Sequence, residues 1–296
     1  FRSICKSGMV TPAAPPETIE AQGAAELLKR IPALPTASAK LLGMMGNPNI
    51  SLKQISDLIA SDGVLTIETL RIANSAMFGS RGEIKSLLQA LAVLGCEKVK
   101  GIVCTIALRN YTGNVLQIPA LKRCWRHNLA TAVVADEIAS WARADTADAY
   151  TAGLLHDIGR LALIAFDSSK YLQVLDHAAS SGDSLEDAER AAFKVDHAVA
   201  GAWLAKLWGL PESLQAAIRD HHSSNPGSSF AITGLVQHSC RIADSLCFSV
   251  IESSYVTDEP IFDFLNLLPE QQRTRLNIDP LEFQMLIASR VNAMES

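Results

Sequence analysis

The sequence predicts an all-α protein, and three observations carry that expectation. Apolar residues recur at three- and four-residue intervals through almost the whole chain beyond its first 17 residues. The patterned segments are bounded by Ser, Asp, Gly and Pro at the places where helices start and stop. No segment keeps the apolar–polar alternation of a half-buried strand.

Residues 1–17, with Pro12, Pro15 and Pro16, read as a flexible leader. The next clear helix lies in "NISLKQISDLIA", where Ser51 is an N-cap and Gln54 completes a capping box. Leu52, Ile55, Leu58 and Ile59 share one face of it. "DGVLTIETLRIANSAMFG" repeats the pattern through Leu65, Thr69, Ile72 and Ala73, ending at Asn74-Ser75 with Gly79 just beyond. "SLLQALAVLGCEKVKGIVCTIAL" gives two helices separated at Leu94-Gly95. A turn of this kind also occurs in DNA-reading helix pairs, but the second helix is apolar after Glu97, which argues against a groove-reading role.

A break near "YTGNVLQIPA", at Gly113, Asn114 and Pro119, divides an amino-terminal lobe (18–115) from a second lobe (116–250). Helix-length segments then follow in the second lobe: "WRHNLATAVVADEIASWA", "AYTAGLLHDIGRLALIAF", "SSKYLQVLDHAAS", "SLEDAERAAF", "DHAVAGAWLAKLWG", "PESLQAAIRDHH" and "AITGLVQHSCRIADSLCFSV". Asp196 caps one of them, Gly209 closes it and Pro211 opens the next. Residues 251–296 read as further helix packed at the end.

Composition sets limits on function. With 48% apolar and 19% charged residues among 296, the chain buries an ordinary globular core. Its net charge of −5 offers no broad basic face for a phosphate backbone, so a nucleic-acid partner is disfavoured. The six cysteines (5, 96, 104, 124, 240 and 247) include no CxxC pair and read as reduced thiols of a cytoplasmic protein. "LLHDIGRLALIAF" is interrupted by His156, Asp157 and Arg160 and falls short of a membrane span. The opening residues lack the apolar stretch of a signal peptide, and the start at Phe1 leaves room for a beginning further upstream.

The chemistry concentrates in the histidines. His177, beside Asp176, reads as a solvated residue, and His238 as a partly exposed or hydrogen-bonded core residue. His127, His156, His197, His221 and His222 each lie at or within a helix in apolar surroundings. Any one of them alone reads as a satisfied core histidine. The pair His156-Asp157 demands more, because burying an unpartnered carboxylate costs several kcal/mol. Asp157 must meet a cation, a metal or a dense set of donors. Arg160, three residues on, offers a plain salt bridge. Adjacent helical residues diverge by about 100°, so His156 and Asp157 can both reach a site lying between their directions. His221-His222 repeats this geometry on another helix, and Asp244 is a second acid within an apolar segment. Imidazole with carboxylate suits Mn, Fe, Zn or Ni, or Mg where several waters remain.

The order His127, His156-Asp157, His197, His221-His222, Asp244 resembles the ligand series of the HD-superfamily metal-dependent phosphohydrolases. Local context matches too, in "WRHNLATA", "AGLLHDIGRLAL", "DHAVAGAWLAKLWGLP", "AIRDHHS" and "RIAD". Upstream, "IPALPTASAKLLGMMGNPNISLKQISDLIASDGVLTIETLRIANSAMFG" followed by "ALAVLGCEKVKGIV" is similar to the HDOD domain, an HD-related output domain of bacterial signalling proteins. The likeness runs from about residue 24 to about 250. It implies one metal held by His127, His156, Asp157 and Asp244 and a second by His197, His221 and His222, with Asp157 bridging. The sequence departs from the cyclic-di-GMP phosphodiesterase branch, because "HHSSNPGSS" lacks that branch's Gly-Tyr-Pro motif and Arg160 stands where it has lysine.

Two functions follow from these expectations. The first is a regulatory module with a signalling protein as partner and a structural or ligand-sensing centre of one or two divalent ions. The second is a phosphohydrolase acting on a nucleotide or cyclic nucleotide, with Asp157 and Arg160 in the catalytic machinery and Arg160 or Lys194 holding phosphate.

Overall fold

In the computed structural model, the described residues are 40–41, 44, 50–74, 83–112, 117–224, 228–251, 257–276 and 278–295. They form helices and connecting turns, and no strand occurs among them. The expected leader, the stop at Gly79 and the break at Gly113-Asn114 lie outside the described residues.

The amino-terminal helices are α1 (Leu52–Ala60), α2 (Gly63–Ala73), α3 (Leu87–Leu94) and α4 (Cys96–Thr112). Ser51 caps α1 with the full capping box: its hydroxyl accepts from the Gln54 amide, and the Gln54 side chain accepts from the Ser51 amide. Asp62 and Ser86 cap α2 and α3 in the same way through the amides of Leu65 and Gln89. Gly95, at φ +86°, turns α3 into α4 in a conformation that a side chain would strain. From Val99 through Leu108, α4 is buried, so this stretch has no free face to lay into a DNA groove.

The second group comprises α5 (Pro119–Ala142), α6 (Thr146–Leu155), α7 (Ile158–Phe166), α8 (Ser168–Ser181), α9 (Leu185–Phe193), α10 (His197–Leu207), α11 (Glu212–Asp220) and α12 (Ile232–Ala243). It is completed by α13 (Glu259–Leu267), the single turn α14 (Glu270–Arg273) and α15 (Pro280–Glu295). Helix α5 is buried along most of its length, with Trp125 and Ile138 in the core, and forms the spine on which α6, α12 and α15 pack.

Two hydrophobic cores result. One gathers Leu41, Ile55, Ile59, Leu65, Ile72 and Leu91 with one side of α4. The other takes Cys104 and Leu108 from α4 together with α5 to α12 and also Ile261, Phe264, Phe283 and Val291 from the end of the chain. The two cores therefore meet along α4 itself, upstream of the expected break, and the last helices are part of the main core.

One expectation is corrected. "AYTAGLLHDIGRLALIAF" is not a single helix: α6 ends at Leu155, α7 begins at Ile158, and the His156-Asp157 pair forms the turn between them. The residues on either side of the break, Ala149–Leu155 and Ile158–Ile164, are all buried, so the apolar pattern runs across it without marking it. His221-His222 likewise occupies the turn after α11, and α12 gives way at Asp244–Phe248 to an irregular turn with Cys247 at φ 65°.

Candidate metal centre

The His156-Asp157 turn decides where the carboxylate points. Asp157 is the N-cap of α7, with φ −101° and ψ 21°, yet its side chain makes no capping hydrogen bond. It faces inward instead, fully buried, toward four imidazoles and a guanidinium. Close packing of α7 on α10 fixes this arrangement. A Cβ on Gly159 would stand 1.8 Å from the His197 carbonyl oxygen and 2.5 Å from the Gly201 nitrogen, so only glycine lets the two backbones approach.

The two carboxylate oxygens divide the centre. Oδ1 lies 3.1 Å from His197 Nε2 and 3.2 Å from His221 Nε2. Oδ2 lies 3.5 Å from His156 Nε2 and 3.7 Å from His127 Nε2. His222 Nε2 stands 2.9 Å from His197 Nε2 and 3.1 Å from Glu186 Oε1. The donor atoms fall into two compact groups. One is Asp157, His197, His221 and His222, and the other is His127, His156 and Cys240.

The outer nitrogens of the rings set their tautomers. Nδ1 of His127 faces the Phe248 carbonyl at 3.0 Å, Nδ1 of His156 the Gly153 carbonyl at 2.7 Å, and Nδ1 of His221 the Ile218 carbonyl at 2.7 Å. A carbonyl only accepts, so each Nδ1 carries the proton, and in the neutral ring Nε2 presents a bare lone pair. Burial holds the His156 pKa well below its ordinary value despite the neighbouring carboxylate, and it also lowers His221. Burial, with the His221 and His197 rings beside it, brings His222 down to about 2. His127 Nε2 and His156 Nε2 approach to 3.3 Å.

His197 differs. Its Nδ1 and backbone amide both engage the buried Glu189 carboxylate, at 2.6 and 2.8 Å, and Tyr171 donates its hydroxyl to the same group at 2.7 Å. Burial and the Arg160 charge disfavour the imidazolium, but Glu189 and Asp157 outweigh them and raise the pKa to about 9. The metal-free ring therefore holds a second proton, which a metal ion at Nε2 would displace. Glu189 holds His197 from behind, as outer carboxylates do for histidines that bind metal. The sequence reading did not single it out, although it shares the buried face of α9 with Leu185 and Ala188 at helical spacing.

Arg160 also enters the centre. Its Nε lies 2.6 Å from Asp157 Oδ2, and a terminal nitrogen lies 3.3 Å from His197 Nε2. The expected salt bridge is thus present. Burial works against the carboxylate, but Arg160, His156 and His197 hold its pKa well below the usual range. The contact is close without being aligned: neither Asp157 oxygen has a partner in hydrogen-bond geometry, and Arg160 Nε and Nη1 are equally unmatched. Two orphaned carboxylate oxygens among imidazole lone pairs are a donor set that fits a divalent cation.

Other residues fall outside this convergence. Asp244 has a side chain 48% exposed, and its Oδ1 stands 3.3 Å from His127 Nδ1, the nitrogen turned away from Asp157. It belongs to neither donor group. Lys194 is an exposed C-cap bonded to the Ala191 carbonyl. His177 pairs with Asp183 at the surface, and His238 packs on the Phe264 ring. A cavity of about 550 Å³ opens over the centre, with His127, Arg160, Glu186, His222, Cys240 and Asp244 among its walls.

Comparison with known proteins identifies the family and supports the fold. The chain is 28% identical over 203 residues to an uncharacterized protein of Treponema pallidum (strain Nichols), covering 67% of this chain and 39% of that protein. It therefore spans about two fifths of the length of that curated relative. Among solved structures, a protein of Marinobacter aquaeolei VT8, provisionally named for signal transduction, superposes with a TM-score of 0.72 at 19% identity, over 95% of this chain and 66% of that one. A protein of Shewanella amazonensis SB2B, provisionally named a phosphohydrolase, superposes with a TM-score of 0.67 at 23% identity, over 91% of this chain and 97% of that one. At such identities these likenesses speak for the fold. The family model for the HDOD domain matches residues 31–224, about two thirds of the sequence, and the chain belongs to the HDOD family.

Proposed function

We propose that this HDOD protein is a signal-transduction module whose buried His/Asp centre binds divalent metal, as one or two ions, and that occupancy of the centre sets the state a protein partner recognises. The observation that carries the reading is the convergence of the His127, His156, His197 and His221 Nε2 atoms on the two oxygens of the buried Asp157 carboxylate. His197, His221, His222 and Asp157 Oδ1 would hold one ion, and His127, His156 and Asp157 Oδ2 the other. Asp244, the ligand suggested by resemblance, would act from behind His127 at Nδ1. Glu189 keeps His197 oriented, and Arg160 balances the carboxylate.

The test is elemental analysis of protein purified without chelators, beside a His156→Ala/Asp157→Ala variant. The expected outcome is one to two metal ions per chain, lost in the variant, with no hydrolysis of nucleotides by the metal-loaded protein. Absence of metal after reconstitution would sink the reading.

The cavity over the centre favours a second reading, a phosphohydrolase acting on a nucleotide or cyclic nucleotide. A bound divalent ion supplies charge to polarise a phosphoryl group and acidify water. Arg160, which lines the cavity, would clamp a phosphate oxygen through its terminal nitrogens. Metal-dependent turnover that disappears in Asp157→Asn would favour this reading over the first.

A further inference from the structure

We propose that Cys240 is a metal ligand, completing with His127 and His156 a mixed imidazole–thiolate pocket. The inference rests on the reading of the centre as a metal site and assigns its third donor. Cys240 is buried, and its Sγ lies 3.5 Å from His127 Nε2, while His127 Nε2 and His156 Nε2 are 3.3 Å apart. Tetrahedral coordination at ~2.0 Å to nitrogen and ~2.3 Å to sulfur spaces the donors ~3.3 Å (N to N) and ~3.5 Å (N to S). These two separations, 3.5 Å from sulfur to nitrogen and 3.3 Å between the nitrogens, match that spacing.

A second, independent feature points to the same place. Asp157 Oδ2, buried and ion-paired with Arg160 Nε at 2.6 Å, also lies 3.5 Å from His156 Nε2 and 3.7 Å from His127 Nε2, within reach of a shared ion as its fourth donor. Asp244 approaches the His127 ring from its other nitrogen. It follows Cys240 by one helical turn and meets His127 at Nδ1, where the proton resides, whereas Cys240 meets it at Nε2. Along the end of α12, the soft donor thus reaches the ion and the hard one reaches the ring from behind. On ligation the thiol gives its proton to solvent and sulfur binds as thiolate. A thiolate makes this half of the centre selective for zinc or ferrous iron over magnesium, while the half formed by His197, His221, His222 and Asp157 Oδ1 remains all nitrogen and oxygen.

The test uses the full chain, stripped with chelator and reconstituted with cobalt(II). Sulfur–cobalt bonding produces an intense near-ultraviolet charge-transfer band, and cobalt bound to imidazole and carboxylate alone shows only weak visible ligand-field bands. The expected result is a charge-transfer band in the wild type, lost in Cys240→Ser and retained in Cys247→Ser, with visible bands in all three proteins. Visible bands without charge transfer in the wild type, or charge transfer that survives Cys240→Ser, would overturn the cysteine assignment and leave the metal centre standing. Absence of both kinds of band would overturn the metal reading together with it. The wild-type spectrum reads ligation directly, so the outcome does not depend on a variant that folds.

Discussion

Asp157 and Gly159 show how two residues fix the centre. A fully buried carboxylate is tolerated because Arg160 stands beside it and because imidazoles surround it. Those imidazoles are within reach only because α7 and α10 touch backbone to backbone at Gly159. Gly159→Ala would drive a methyl group to 1.8 Å from the His197 carbonyl, so the helices must separate. We expect a loss of about 3 kcal/mol or more, as for overpacking of a rigid contact, read as a lowered urea midpoint. Metal binding should weaken in parallel, because His197 moves with its backbone. An unchanged midpoint would show that the contact yields easily.

At the scale of elements, ion pairs join helices that the apolar pattern alone leaves free to slide. Glu68 on α2 accepts from Arg71 on its own helix and from Arg109 on α4, at 3.0 and 2.8 Å. Burial opposes ionisation, but the two guanidiniums outweigh it and lower the Glu68 pKa. A depressed carboxylate pKa contributes stability that is present above the unfolded value, near 4.5, and lost as pH falls through the lower folded value. Glu68→Gln should therefore cost about 1 kcal/mol at neutral pH, the contribution of a half-buried charged pair, and nothing once the wild-type carboxylate is protonated. Thermal melts of both proteins from pH 7 to pH 3 should converge at the acid end. Parallel curves would count against the pairing. The caps at Ser51 and Asp196 were legible because they are local, whereas the break at His156-Asp157 was hidden by apolar residues on both sides.

Over the whole molecule, the last helix is a clamp on the spine that carries His127. Arg290 of α15 pairs with Asp136 and Glu137 of α5, and Arg126, next to His127, pairs with Glu295. Tyr150 on α6 links three parts of the fold, sharing a hydrogen bond with Thr105 on α4 and reaching the sulfur of Met294 on α15. Arg290→Ala would leave two adjacent carboxylates facing each other without their cation. Loss of a largely buried partner of this kind costs about 3 kcal/mol. We expect a lower unfolding midpoint and earlier proteolysis of the carboxyl-terminal segment. A midpoint within experimental error of the wild type would show that apolar packing alone holds α15 in place.

The sequence by itself determined the all-α class, the cap positions and the residue types gathered at the centre, because periodicity and capping act over a few neighbouring residues. The His156-Asp157 pair was legible as a polar pair that apolar surroundings do not explain, whereas His127, His197, His221, His222 and Asp244 joined it as one set only through the family resemblance. Only the tertiary structure decided which nitrogen each ring presents, that Glu189 faces inward on a helix whose composition suits a solvated surface, and that Cys240 rather than Asp244 stands at the Nε2 side of His127. These depend on how α5, α9, α10 and α12 approach one another across long sequence separations. A single helical turn, invisible to any local pattern, exchanges the atom that faces the centre for one that faces away.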